Sequence, residues 1–152
     1  MKRVLSFIVT VILVFLIVLV ALGLYSRSGE APGLVDGRLA PCPGSDNCVC
    51  SEYPDDGAHF IEPIVTGANA SQLRQAIVDL GGRIETDAAT YLAATFRSPI
   101  FGFVDDLEIR IDNGRSQLQV RSASRVGRGD LGANRKRVER LRQLLTETPT
   151  QN

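Results

Sequence analysis

The sequence predicts an α+β fold: a small antiparallel sheet of about four to five strands with two helices packed on one face, preceded by one transmembrane helix. Three observations predict it. The first 25 residues contain a long uncharged run, two later segments repeat apolar residues at helical spacing, and the segments between them alternate apolar and polar residues. Such alternation is typical of antiparallel strands that bury one face.

The N-terminal segment 1–25 is predicted to be a transmembrane anchor. Val4 to Tyr25 contains no charged residue, and at about 1.5 Å per residue it would be about 33 Å long, enough to cross a hydrocarbon core of about 30 Å. The alternative is a cleaved secretory signal ending at Ala21-Leu22-Gly23. The length favours the uncleaved anchor, because the apolar part of a signal is usually only about 7 to 15 residues long.

The charged residues that flank the anchor predict its orientation. Lys2 and Arg3 precede the apolar run, and positive flanks stay in the cytoplasm. We therefore expect a single-pass protein of the cytoplasmic (inner) membrane, with its N-terminus inside and its domain on the extracytoplasmic or periplasmic side. The membrane is thus a partner through residues 4–25.

The rest of the chain divides into a linker, one domain and a tail. Residues 26–41 contain several glycines and no apolar period, which is typical of a linker, here one that lifts the domain off the membrane. Residues 42–147 are enough for one α+β domain and too few for two. Residues 148–152 form the tail.

Three cysteines lie close together, at Cys42, Cys48 and Cys50. Outside the cytoplasm thiols tend to oxidise, so a disulfide closing the turn Pro43–Asn47 is favoured, and we predict Cys42 with Cys48. A metal site or a redox pair is the alternative, but no histidine is near and Cys-x-Cys is not the redox spacing. We predict neither a metal nor a cofactor.

Two helices are predicted from their caps and their apolar stripes. In the first, Asn69 is the N-cap and the Gln72 side chain reaches back to it. In the second, Asp130 is the cap. The stripes comprise Leu73, Ala76, Ile77 and Leu80 in the first helix and Asn134, Val138, Leu141 and Leu145 in the second.

The predicted strands are a short edge strand at His59–Ile64, which contains a proline, a lead-in at Arg83–Thr86, and three longer runs. Apolar residues share one parity in each of the longer runs: Leu92, Ala94 and Phe96; Phe103, Leu107, Ile109 and Ile111; Leu118 and Val120. Asn113-Gly114 is a strong signal for a two-residue hairpin turn between the last two runs.

A turn at Asn113-Gly114 fixes a register for the last hairpin. It places Ile109 opposite Leu118 and Leu107 opposite Val120, so apolar residues share one face. On the other face, expected to be exposed, it places Asp106 opposite Arg121. On the apolar face it places Asp105 opposite Ser122, and a carboxylate there needs hydroxyls, backbone amides or an arginine around it.

The chain resembles the uncharacterised family called domain of unknown function 1499 over about Cys42 to Leu145. The resemblance lies in three runs: Cys42–Val49, Phe96–Asp106 and Val120–Arg135. The family has serine as its usual residue at position 50, which supports the Cys42–Cys48 pairing and leaves open an exchange with Cys50. The resemblance implies that nine polar residues belong together: Asp105, Asp106, Arg121, Ser122, Ser124, Arg125, Asp130, Asn134 and Arg135.

These nine residues, called here the polar cluster, have two interpretations. In one, arginines hold an anionic ligand bidentately in a pocket at the end of the sheet. In the other, the residues form an internal network that joins the last helix to the sheet. The first predicts a binding or envelope-associated module for an anionic small molecule, a lipid headgroup or an envelope protein.

The alternative function is a small hydrolytic or thiol-redox enzyme that uses the polar cluster or the cysteines. Ser122 beside Asp105 would be its nucleophile and base, but no third orienting group is evident, and we assign no catalytic residue. The single histidine, His59, is expected at the surface. With 17 basic and 17 acidic residues, and with the domain outside the cytoplasm, nucleic acid is not an expected partner.

Overall fold

The computed structural model describes residues 1–112 and 114–147. An N-terminal apolar helix precedes an α+β domain in which two helices pack on a mostly antiparallel sheet, as predicted, but the sheet has six strands. The helices are α1 (Lys2–Ser26), α2 (Ala70–Asp79) and α3 (Ala133–Glu147), and the strands are β1 (Leu34–Val35), β2 (Arg38–Leu39), β3 (Cys48–Cys50), β4 (Ile64–Val65), β5 (Arg83–Asp87), β6 (Tyr91–Arg97), β7 (Val104–Asp112) and β8 (Gln117–Ser124). The predicted tail 148–152 and Asn113 lie outside the described residues.

The sheet has the order β3-β8-β7-β6-β5, and β4 pairs with the first residues of β8, beyond the stretch that pairs with β3. The edge strand expected at His59–Ile64 is therefore displaced. Phe60 makes only an isolated bridge to Cys50, and regular pairing begins at Ile64. Pro63 separates the two because proline has no N–H to donate to a ladder.

The predicted hairpin register is wrong by two residues. Ile109 lies opposite Val120, and the last pair of the ladder is Asp112 with Gln117. The connection is therefore four residues long, with Ser116 in the left-handed region at φ 50°. A shift of two keeps every side chain on its predicted face, so the apolar face was predicted correctly.

The two polar pairs that followed from that register are also corrected. Asp105 lies opposite Ser124 instead of Ser122, and Asp106 lies opposite Ala123 instead of Arg121. The longer turn moves each partner by two positions along β8.

Both helices cover the apolar face. The capping box of α2 is confirmed: the Asn69 side chain accepts from the backbone amide of Gln72 at 3.0 Å, and the Gln72 side chain accepts from the amide of Asn69 at 2.8 Å. Helix α3 begins at Ala133, and the Asp130 carboxylate accepts from the amide of Asn134 at 2.7 Å. Its predicted stripe is buried: Asn134, Val138, Leu141 and Leu145.

The second face of the sheet is covered by the segment expected to be a free linker. Residues 27–41, called here the strap, lie across it: the amide of Gly33 donates to Glu108 at 2.9 Å, and Leu39 is fully buried. The strap therefore packs on the domain along its length instead of extending away from it. Its sequence has neither the helical nor the strand period, so this packing left no signal in the pattern.

Helix α1 is long and apolar enough to cross a membrane, at about 37 Å. Its last turn packs against the domain. Ser26 is buried, and its hydroxyl accepts from the amide of Val104 at 3.1 Å and donates to the carbonyl of Gly23 at 2.7 Å. A β-carbon on Gly23 would overlap the carbonyl oxygen of Phe101, so only glycine allows this close approach.

The predicted disulfide between Cys42 and Cys48 is confirmed, with the two Cα atoms 5.7 Å apart. Cys50 is a free and buried thiol. Cys48 and Cys50 both point to the strap side of the sheet, while Val49 between them joins the core under the helices.

Candidate functional site

The structure divides the polar cluster between the two faces of the sheet, because successive side chains on a strand point to opposite sides. The helix side holds Asp105, Ser122, Ser124, Asp130 and Asn134. The strap side holds Asp106, Arg121 and Arg125. Arg135 is exposed on α3 and belongs to neither group.

Asn134 is the centre of the helix-side network and is fully buried. Its Oδ1 accepts from the Ser122 hydroxyl at 2.6 Å, and its Nδ2 donates to the carbonyl of Asn47 at 3.0 Å and to the Ser124 hydroxyl at 3.1 Å. The network therefore joins α3 to β8 and to the disulfide loop. A buried polar side chain whose donors and acceptors are all paired is typical of a network that fixes how the core packs.

Of the partners expected for Asp105, which is half-buried, the structure provides an arginine, Arg137. Its Nη2 donates to the Asp105 carboxylate at 2.6 Å, and its guanidinium lies 4.4 Å from the ring centroid of Phe96. The sequence interpretation missed Arg137. A signal was present, because Arg137 follows Asn134 by three residues and so shares its helix face.

This geometry argues against Ser122 as a nucleophile with Asp105 as its base. Ser122 is fully buried, its hydroxyl donates to Asn134, and it receives a hydrogen bond from Arg137 Nη1 at 2.9 Å. Asp105 pairs with Arg137. No substrate can approach a hydroxyl sealed under α3, so the helix-side residues fit the network interpretation.

The strap side contains a buried ion pair that the sequence interpretation missed. Arg121 Nη1 donates to Glu108 at 2.8 Å, with side chains 8% and 0% exposed. Glu108 also accepts from the Tyr91 hydroxyl at 2.8 Å and from the amide of Gly33. Burial and the adjacent Glu108 carboxylate raise the pKa of Tyr91 well above its ordinary range. Glu108 shares the face of Asp106, two residues earlier, which was the available signal.

A second ion pair joins the sheet to the end of α1. Arg125 binds Asp106 through two nitrogens, at 2.7 and 2.8 Å. The same guanidinium donates to the carbonyls of Ser26, at 3.3 Å, and Gly29. The hydrogen bond and the charge of Asp106 hold the pKa of Arg125 above its usual value. Arg125 and Asp106 therefore fix where the strap begins.

Glu52 fixes the other end of the strap and was also missed. Its carboxylate accepts from Arg38 Nε at 2.8 Å, from Arg110 Nε at 2.7 Å and from the amide of Leu39 at 3.3 Å. Burial alone would raise the pKa of Glu52, but the hydrogen bonds from Arg110 and Arg38 outweigh it and lower the pKa.

A cleft of about 540 Å³ opens between the strap and the edge formed by β5 and β6. Four arginines and three carboxylates line it. Two of the arginines are paired, Arg83 with Glu85 and Arg125 with Asp106. The Thr95 hydroxyl donates to Glu85 at 2.9 Å and lowers the pKa of that carboxyl.

Arg27 and Arg97, the other two arginines of the cleft, are both exposed. Neither forms an ion pair with any residue that the structure describes. The third carboxylate of the cleft, Glu30, is also exposed. This cleft, called here the strap cleft, is where arginines converge on open space.

The remaining candidate, His59, is not at the surface as expected. Its ring nitrogens lie 2.8 Å from the Asp56 carboxylate and 3.2 Å from the carbonyl of Ser45, and the side chain is 13% exposed. His59 therefore supports the disulfide loop. Among residues 1–112 and 114–147, no three side chains of the types that bind metals converge on one point.

The comparison with protein families gives one match. The model of a family described as "Protein of unknown function (DUF1499)" matches residues 38–145, which include β2 and the whole sheet but not residues 27–37 of the strap. Neither the curated proteins nor the solved structures contain a match. The match covers well over half of the chain, so this protein belongs to the DUF1499 family of proteins of unknown function.

Proposed function

We propose that the protein is a membrane-anchored domain that binds an anionic group, such as a phosphate, in the strap cleft. The single observation that carries the proposal is the pair Arg27 and Arg97, which have no carboxylate partner among the described residues and face a cleft of about 540 Å³. Guanidinium groups present planar, bidentate donors that match phosphate and carboxylate oxygens.

The proposal includes the compartment. Lys2 and Arg3 on the N-terminal flank support an N-terminus inside and a domain outside the cytoplasmic membrane. The Cys42–Cys48 disulfide supports the same side, because cytosolic thiols are kept reduced.

The source of the phosphate is either a lipid headgroup or a free ester. The cleft begins at Arg27 and Gly29, directly after the end of α1, so headgroups of the membrane that α1 spans lie within reach. The balance of four arginines against three carboxylates favours one anionic group over a large anion. A polyanion would meet Glu30 and Glu85.

The alternative of an enzyme loses support from both of its candidate sites. Ser122 is sealed, as described above. Cys50 is buried, and that burial raises the pKa of its thiol, whereas reactive cysteines are exposed and have lowered pKa values. Binding is thus the function that the geometry favours.

The test uses the full chain in lipid nanodiscs. In phosphatidylcholine discs, inorganic phosphate should raise the midpoint of thermal unfolding, because a ligand of the folded state stabilises it by mass action. In discs with phosphatidylglycerol, the midpoint should rise without added phosphate if headgroups are the source. Arg97→Ala should remove whichever rise is seen.

The matched control is Arg115→Ala, an exposed arginine in the β7–β8 connection, far from the cleft. It should leave the rise unchanged. If Arg115→Ala reduces the rise as much as Arg97→Ala does, the effect is general charge attraction and the cleft is not the site. No rise in either kind of disc also contradicts the proposal.

A further inference from the structure

The loop that joins β6 to β7, residues Ser98–Phe103, has an apolar tip that faces solvent. Its six residues carry no charge, and Ile100 is 82% exposed. The loop closes on itself: the amide of Ser98 donates to the carbonyl of Phe103 at 2.9 Å, and the amide of Phe103 to the Ser98 hydroxyl at 2.9 Å. A single exposed apolar side chain is common on protein surfaces, so the interpretation of Ile100 depends on where it lies.

The location is the end of the membrane anchor. Gly23 packs so closely on the carbonyl of Phe101 that no β-carbon fits between them, and Ser26 binds the amide of Val104. Gly23 belongs to the apolar run of α1, about 5 Å before the end of the helix. The loop therefore lies at the depth where α1 leaves the hydrocarbon core.

A second exposed apolar residue lies at the same end of the sheet. Leu131, in the connection from β8 to α3, is 96% exposed and holds a left-handed backbone at φ 55°. That conformation is unfavourable for a leucine. The start of this connection is tied to β7, because the amide of Arg125 donates to the carbonyl of Val104 at 3.1 Å.

Basic side chains flank both apolar tips. Arg97 immediately precedes the first loop, Arg128 precedes Leu131 in the second, and Arg27 follows the anchor. All three are exposed. Apolar tips with arginines beside them match a bilayer interface, where acyl chains lie next to phosphate groups.

We propose that this end of the domain, called here the rim and made of residues Ser98–Phe103 and Gly127–Gly132, inserts Ile100 and Leu131 into the interface of the bilayer that α1 spans. The occupant is phospholipid. The inference goes beyond the strap cleft, since the rim can dock whether or not the cleft binds an anion. It places the domain flat against the membrane at a fixed depth.

The chain has no tryptophan, so a single introduced one reports its own surroundings. Ile100→Trp and Leu131→Trp, in the full chain in phosphatidylcholine nanodiscs, should show blue-shifted emission. Acyl chains brominated near the headgroup should quench that emission several-fold more than chains brominated near the terminal methyl.

Two further variants make the result decisive. Val65→Trp is the matched control: it is 62% exposed and pairs with the opposite end of β8, about 23 Å from the rim, so it should not be quenched. Leu16→Trp lies inside α1 and should be quenched by deep bromines, which proves insertion of the anchor.

Absence of quenching at both Ile100→Trp and Leu131→Trp, with Leu16→Trp quenched, overturns the proposal. Quenching at Ile100→Trp alone supports insertion of the β6–β7 loop and overturns it for Leu131. Adding Gly23→Leu to Ile100→Trp should reduce the quenching, because the larger side chain displaces the loop from α1. These readouts follow the position of each tryptophan and need no added phosphate or anionic lipid, so they can be distinguished from the result for the strap cleft.

Discussion

Individual residues decide whether the polar cluster is a site or a scaffold, and Asn134 decides it for the helix side. Its carboxamide binds groups on β8, in the disulfide loop and in the connection that precedes α3. All of these groups are buried or half-buried, so they have no water to replace a lost partner.

Asn134→Ala should lower the free energy of unfolding by about 3 kcal/mol, because the buried Ser122 hydroxyl loses its acceptor and the Asn47 carbonyl loses one of its two donors. The measurement is chemical denaturation of the full chain in detergent. Arg135→Ala, at the adjacent exposed position, is the control and should change stability by less than about 0.5 kcal/mol. Equal effects of the two variants would contradict the role assigned to Asn134.

The pKa of Glu52 predicts how the stability of the fold changes in acid. Its pKa is lowered in the folded state from an ordinary value of 4.5. A lowered carboxyl pKa contributes stability that is complete above about pH 4.5 and is lost as the pH falls through the folded-state pKa. The strap should therefore loosen in acid before the disulfide-closed loop does.

Glu52→Gln should cost about 2 kcal/mol at neutral pH through the weakened contacts to Arg38 and Arg110. It should also flatten the loss of stability between about pH 5 and pH 3. The measurement is the unfolding free energy against pH. The unfolding free energy of the variant should still depend on pH, because the pKa of Asp130 is lowered too. Burial would raise that pKa, but hydrogen bonds from the backbone amides of Asn134 and Gly132 outweigh the burial. An unchanged slope would contradict the prediction.

At the scale of residues, the sequence predicted which side chains face the core, since that depends only on alternation. It did not predict partners. Asp105 was expected to need hydroxyls, backbone amides or an arginine, yet finding Arg137 requires the docking of α3 on the sheet. Glu108 and Glu52 were missed because their partners are distant in sequence and nothing local marks a buried carboxylate.

At the scale of elements, helix α2 was predictable because its capping box is local. The β7–β8 register was not, although Asn-Gly favours a two-residue turn. Apolar alternation is compatible with any even shift, so only the turn distinguished the alternatives. In the longer connection the amide of Arg115 donates to the Asp112 carboxylate at 3.2 Å, a contact that a two-residue turn would not make.

The strap is the element whose role differs most from expectation, and it can be tested directly. A variant that begins at Arg27 should fold, whereas one that begins at Cys42 should lose the cover over Glu108 and Arg121 and expose their buried pair. The second should unfold at a lower denaturant concentration and bind a hydrophobic dye. Equal midpoints for the two would show that the strap contributes nothing to the fold.

At the scale of the whole molecule, the formal charges balance at 17 basic and 17 acidic residues, so no long-range field steers a partner. Function then depends on local arrangement: Arg27 and Arg97, the strap cleft and the rim all lie near the end of α1. Composition could not reveal this, because it is the fold that gathers these residues on one side.

The close contact between Gly23 and Phe101 has a mechanical consequence. A domain on a loose tether tumbles independently of its helix, but Gly23 and Ser26 of α1 pack directly on the domain. If α1 spans a membrane as proposed, a rotation or tilt of α1 would therefore turn the domain with it. A neighbouring transmembrane helix that gripped α1 would thereby aim the strap cleft. Helix α1 would then set the orientation of the domain as well as attach it.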